Sequence, residues 1–135
     1  ILQKRVNLIL KKKVKNKKIS FLGVTFKANT DDMRDSSSLK LIPYLSRKGA
    51  QIKYYDPTGF KKEFSKLKNV EFSKSIQDSI KGSDLIIIHT EWNDFKSINF
   101  RKFSKNKNLI IYDMRNIFSP DKINKMGFKY FGIGR

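Results

Sequence analysis

Residues 85–88 read LIII, four apolar side chains in a row followed directly by His89. A strand with one face in water alternates apolar and polar residues, so a short run without alternation marks a strand covered on both faces. A parallel sheet with helices on either side supplies that environment. Strands are predicted at 19–25 (ISFLGVT), 51–55 (QIKYY), 69–72, 85–89 and 109–112 (LIIY), with 128–133 as a last edge strand.

Helical patterns fall between these runs: 37–48 before Gly49, 59–67, 75–81 before Gly82, a short one at 99–104, and 120–125 before Gly127. A glycine just past a helix can take the left-handed conformation that caps it. Pro43 lies inside the first pattern and predicts a kink or a delayed start. Strands alternating with helices at this spacing predict an open, doubly wound, mainly parallel α/β sheet of five to six strands with helices on both faces. Upstream, Leu2, Val6, Ile9, Leu10 and Val14 recur at helical spacing, so residues 1–18 read as the end of a helix and 19–135 as the domain proper. The lysines at its end read as a solvated helix terminus. The first residue is Ile1, not Met, and no signal-peptide pattern follows, which suggests a piece of a longer cytoplasmic protein.

Several functions are excluded at this level. The 135 residues suit one domain, and no apolar run approaches the roughly 18–20 residues of a membrane span. Cysteine is absent, so the chain has no disulfide, thiolate metal site or cysteine nucleophile. The single histidine, His89, cannot form a zinc site alone. The net charge of +18 invites a nucleic-acid partner. However, the excess is lysine, twenty-four against six arginines, and it is spread along the chain rather than clustered as base readers require. Lysine rises together with Asn, Ile and Phe, as in an AT-rich genome, so the charge alone decides nothing.

In a doubly wound sheet the working end is where the strands' carboxyl ends enter the following helices. The loop after Gly23, VTFKANTDDMRDSSS, lacks the G-x-G-x-x-G of a dinucleotide cradle, and no phosphate loop occurs elsewhere. It carries two cations instead, Lys27 and Arg34, around Asp31 and Asp32. Cations at a helix entrance suit an anionic ligand; the alternative is a loop held by internal ion pairs, with Ser36 or Ser37 capping the helix. Asp56-Pro57 reads as a strand-ending Asx turn rather than a ribose-binding acid. Thr90 can cap a short helix, and His89 reads as a packed strand-end residue rather than a catalyst. Arg115, just past the fifth strand, can reach a phosphate or carboxylate, or pair with Asp113.

The motifs FLGVTFKANTDDMRDSSS, YYDP, TEWNDF, YDMRNIF and the closing YFGIGR run in this order. Together they resemble the C-terminal, UDP-binding domain of the UDP-glucose 6-dehydrogenase (UDP-glucose/GDP-mannose dehydrogenase) family. TEWNDF and YFGIGR favour the UDP-glucose branch over GDP-mannose and UDP-N-acetyl-hexosamine relatives. The resemblance implies an NAD-dependent enzyme that oxidises UDP-glucose to UDP-glucuronate with two NAD. NAD would be held mainly by an N-terminal domain, and a catalytic cysteine would lie upstream of Ile1, so this chain alone would be inactive. It implies a Rossmann-like sheet, no catalytic residue here, substrate contacts from Lys27, Arg115 and Phe26, and an NAD contact from Arg34. It also implies that residues 1–18 end a central helix that joins the domains and builds a homodimer, with neither nucleic acid nor membrane as partner. One departure is Met114, where relatives often carry glycine, which bears on how Arg115 is aimed.

Overall fold

The computed structural model describes residues 1–134, so Arg135, the last residue of the YFGIGR ending, lies outside the described residues. Six strands form one sheet: β1 (Lys18–Leu22), β2 (Gln51–Tyr55), β3 (Val70–Phe72), β4 (Leu85–Ile88), β5 (Ile110–Asp113) and β6 (Lys129–Gly132). Their order is β3-β2-β1-β4-β5-β6 and every pairing is parallel. The helices are α1 (Leu2–Ile9), α2 (Ser38–Arg47), α3 (Ile76–Ile80), α4 (Phe100–Phe103) and α5 (Pro120–Lys125). The doubly wound expectation therefore holds, with β3 and β6 at the edges. The chain winds outward one way from β1 and the other way from β4, so the topological switch lies between these two central strands.

The LIII run behaves as its composition requires, since all four residues of β4 are fully buried. Leu85 and Ile87 join Val6, Phe21, Leu41, Ile42 and Leu45 on the face covered by α1 and α2. Ile86 and Ile88 join Leu22, Phe95, Phe100, Ile111 and Ile123 on the other face. Successive strand residues point to opposite sides, so one run without polar residues feeds two separate cores.

Two expectations are corrected and a third is narrowed. The first helix stops at Ile9 rather than continuing to residue 18. Lys11 and Lys12 take left-handed φ values of 53° and 63°. The Lys12 N–H donates to the Asn7 carbonyl at 2.7 Å and the Lys11 N–H to that of Leu8 at 3.1 Å. This is a Schellman closure without glycine, so no residue type announces it; Val14 is still buried, but from a turn. The helix expected over 59–67 is only a single 3-10 turn at Lys62–Phe64. The Tyr54 hydroxyl accepts the Lys61 N–H at 2.9 Å, and Lys61 is held extended where a helix would have begun. Finally, α2 begins at Ser38 and runs unbroken through Pro43, so its start is not delayed. Among the described residues no helix is long and apolar enough to cross a membrane.

Candidate functional site

The carboxyl ends of β1, β2, β4 and β5 meet at one edge, and the local sequence explains how each strand stops. Gly23 follows β1 with φ +78°, and a Cβ there would lie 2.6 Å from Cβ of Thr90 and 3.2 Å from Phe95. Glycine is required both for the turn and for the close approach of Thr90. Asp56, after β2, is buried and fully employed. Its Oδ2 accepts the Val24 N–H at 2.8 Å, while Oδ1 accepts the Thr58 N–H at 2.9 Å and its hydroxyl at 2.6 Å. This is the expected Asx turn, with a second duty of tying β2 to the β1 loop.

At the end of β4, His89 is buried with both ring nitrogens in contact. Nε2 lies 2.8 Å from the Ser37 hydroxyl and Nδ1 lies 3.0 Å from Oγ1 of Thr90, whose hydroxyl donates to the Thr25 carbonyl at 3.0 Å. Burial, with a smaller push from the nearby Arg115 charge, lowers the pKa of His89 to about 3. The histidine is neutral and packed, as the sequence suggests. Thr90 does not cap a helix; it is buried as the link between His89 and the β1 loop. Ser37 is the N-cap of α2 but makes no capping bond with its side chain, which faces His89 instead. Ser36 and Ser38 both donate to the Val24 carbonyl at 2.6 Å, closing the base of the loop.

At the end of β5, Asp113 is fully buried. It accepts the Arg115 N–H at 3.1 Å, the Phe118 N–H at 2.9 Å and the Tyr130 hydroxyl at 2.8 Å. Arg115 therefore meets Asp113 through its backbone and does not pair its charge there. Its guanidinium bridges two other loops: Nε donates to the His89 carbonyl at 2.9 Å and Nη2 to the Phe26 carbonyl at 3.3 Å. Met114 continues the ladder by donating to the Ile88 carbonyl at 3.0 Å, and the left-handed turn comes two residues later, at Asn116 with φ 55°. The substitution for glycine thus demands no strained backbone before Arg115.

The structure brings Phe26 and Arg115 together and leaves Lys27 beside them. Phe26 is half exposed, and its N–H donates to the Asp32 carbonyl at 3.0 Å. Lys27 is exposed; its carbonyl accepts the Thr25 hydroxyl at 2.9 Å, its charge adds to the downward pull on the Asp32 carboxyl, and among the described residues its ammonium makes no hydrogen bond or ion pair. Arg34 stands apart, pairing through two nitrogens with both carboxylate oxygens of Asp32 at 3.0 Å. Those bonds hold the Asp32 carboxyl below its ordinary pKa, and Arg34 is raised by the same contact. Of the loop's two cations, Arg34 is thus committed to an internal ion pair and the Lys27 ammonium is not. Sequence reasoning missed the contacts of Ser37, Thr90 and the Arg115 guanidinium; the pair His89-Thr90 at a strand end was the one available signal.

A cleft of about 420 Å³ lies at the opposite edge of the sheet, among Lys18, Lys53, Glu71, Ser79 and Lys81 at the amino ends of β1, β2 and β3. The carboxyl edge is nevertheless the better candidate, because the switch point and the long loop lie there. The edge does not fit the pyrophosphate of a dinucleotide in the usual way, since Thr90 and Phe95 fill the space over Gly23 where the backbone would approach it.

Known proteins resemble this chain in sequence and in fold. Residues 20–120 match the UDP-glucose/GDP-mannose dehydrogenase family, UDP binding domain. The UDP-glucose 6-dehydrogenase of Rhizobium meliloti (strain 1021) is 36% identical over 123 residues, covering 90% of this chain and 28% of that protein. That of Rickettsia bellii (strain RML369-C) is 37% identical over 134 residues, covering 96% of this chain and 31% of that protein. Among solved structures, the NDP-N-acetyl-D-galactosaminuronic acid dehydrogenase of Methanosarcina mazei Go1 superposes with a TM-score of 0.81 at 27% identity, covering 99% of this chain and 28% of that one. The chain thus spans under a third of the length of the curated relatives it matches.

Proposed function

Because the chain belongs to the UDP-glucose/GDP-mannose dehydrogenase family, as its UDP binding domain, we propose that its carboxyl edge binds the UDP part of a nucleotide sugar within a longer NAD-dependent dehydrogenase. The substrate is UDP-glucose and the product UDP-glucuronate. The C6 alcohol gives up two hydrides to two NAD, and water supplies the second carboxyl oxygen. The relatives named UDP-glucose 6-dehydrogenase favour glucose; the fold match to an N-acetyl-galactosaminuronic acid dehydrogenase keeps a related sugar as the second reading.

Lys27 carries the reading: an exposed cation whose ammonium is held by no hydrogen bond or ion pair among the described residues, one residue from a carbonyl that Arg115 grips. Its ammonium neutralises one phosphate of the diphosphate. The Arg115 guanidinium turns its remaining N–H groups to the other phosphate, and Phe26 offers a ring beside the sugar. No residue of this chain performs the oxidation, because the nucleophile belongs to another part of the protein. NAD is held elsewhere as well, with Arg34 supplying a cation at the mouth of the cleft. Helix α1 is the end of the helix that joins the domains and pairs two subunits in the cytoplasmic enzyme.

Steady-state kinetics on the full-length enzyme carrying this domain test the assignment. Lys27→Ala and Arg115→Ala are expected to lower kcat/KM for UDP-glucose about 10- to 100-fold each, the size of a lost charge-assisted bond. Arg34→Ala is expected to raise KM for NAD and leave the sugar nucleotide little affected. Unchanged UDP-glucose kinetics in folded Lys27→Ala and Arg115→Ala enzymes would place the anion site elsewhere.

A further inference from the structure

We propose that His89, fixed in its Nδ1–H tautomer, is a positioning residue that holds the Lys27 loop in place by joining the two ends of that loop across the strand end. The tautomer follows from hydrogen counting. The Thr90 hydroxyl has one hydrogen and donates it to the Thr25 carbonyl at 3.0 Å. Toward His89 it can only accept, so Nδ1, 3.0 Å away, carries the proton. Nε2 is then bare and accepts the Ser37 hydroxyl at 2.8 Å. Thr25 begins the loop, Ser37 ends it as the N-cap of α2, and Lys27 lies between them. The His89 carbonyl accepts Nε of Arg115 at 2.9 Å, and the same guanidinium reaches Phe26, so the third loop is tied to the same residue. Every polar atom of the imidazole is committed and the ring is almost wholly buried, which leaves no role in proton transfer to a ligand. A packed ring alone would need none of these bonds; phenylalanine would fill the space.

What the loop is held ready for rests on the UDP reading, but the hub itself can be tested without a ligand. His89 is the single histidine, so long-range 15N–1H correlation on the 135-residue chain reports its tautomer without overlap. The expected spectrum shows a protonated Nδ1 and a bare Nε2; the Nε2–H tautomer or an imidazolium at neutral pH would overturn the proposal. Ser37→Ala removes one arm. It should speed amide exchange at Phe26, Arg34 and Ser36 by about 3- to 10-fold, the range of one lost neutral hydrogen bond, while the β4 amides keep their protection. Ser37→Thr should restore the wild-type rates. Uniform acceleration across β4 and the loop, or no change, would show that Ser37 and His89 do not hold the loop. With UDP as probe, Ser37→Ala should weaken binding by a similar factor with rescue by Ser37→Thr; equal affinity in all three proteins would refute the positioning role. If the wild-type chain binds no UDP, the UDP reading fails, while the tautomer and exchange results still decide the hub.

Discussion

Lowering the pH should destabilise the fold through His89, and the size of the effect follows from its surroundings. Burial holds the folded-state pKa at about 3, against 6.5 for the free side chain. The nearest charge is the Arg115 guanidinium on its carbonyl, and its polar ring contacts are hydroxyls, so no carboxylate compensates a proton on the ring. Between these two pH values the unfolded chain binds a proton that the folded chain refuses. Stability is therefore fully present above about pH 6.5 and lost as pH falls, at about 1.4 kcal/mol per unit. From pH 7.5 to pH 5.0 the loss amounts to about 2 kcal/mol. Urea unfolding followed by the fluorescence of Trp92, the single tryptophan, measures it across that range. The control is His89→Asn, which retains a donor toward Thr90 but does not titrate. The wild type should lose about 2 kcal/mol more than the variant over this interval. Equal pH slopes in the two proteins would refute the reasoning.

Two further substitutions test the packing of the same edge. Gly23→Ala adds a methyl 2.6 Å from Thr90 at a φ of +78°, so thermal unfolding should show a loss of at least about 2 kcal/mol, and a neutral outcome would mean the turn can rearrange. Asp113→Ala removes the acceptor of three hydrogen bonds, from the Arg115 and Phe118 N–H groups and the Tyr130 hydroxyl, predicting a cost of about 3 kcal/mol in urea titration, against well under 1 for the exposed Asp121→Ala.

What could be read from the sequence differs by element. The LIII run and the start of α5 at Pro120 declare themselves, because burial on two faces and a fixed proline φ leave direct marks on composition. The end of α1 leaves none: its Schellman closure uses lysine where glycine is usual. Residues 59–67 carry helix-forming side chains, but the Tyr54 hydroxyl, supplied by β2, takes the Lys61 N–H. A tertiary bond there outweighs a weak local preference. Of the candidate site, the positions of Lys27 and Arg115 were legible because both stand in loops at carboxyl ends of strands. The partners of Arg115 were not, because it binds the carbonyls of His89 and Phe26, and a carbonyl is the same at every residue. Asp113, the partner that the sequence offered, is occupied by other donors.

The central claim is that the carboxyl edge of the sheet receives a uridine diphosphate. Titrating the 15N-labelled chain with UDP while following every amide tests it most directly. The account predicts saturable shifts confined to the β1 loop around Lys27, the His89–Thr90 turn and the turn at Arg115, abolished by adding Lys27→Ala to Arg115→Ala. Shifts centred instead on the cleft of Lys18, Lys53 and Lys81, or a chain that ignores UDP while responding equally to any polyanion, would contradict it.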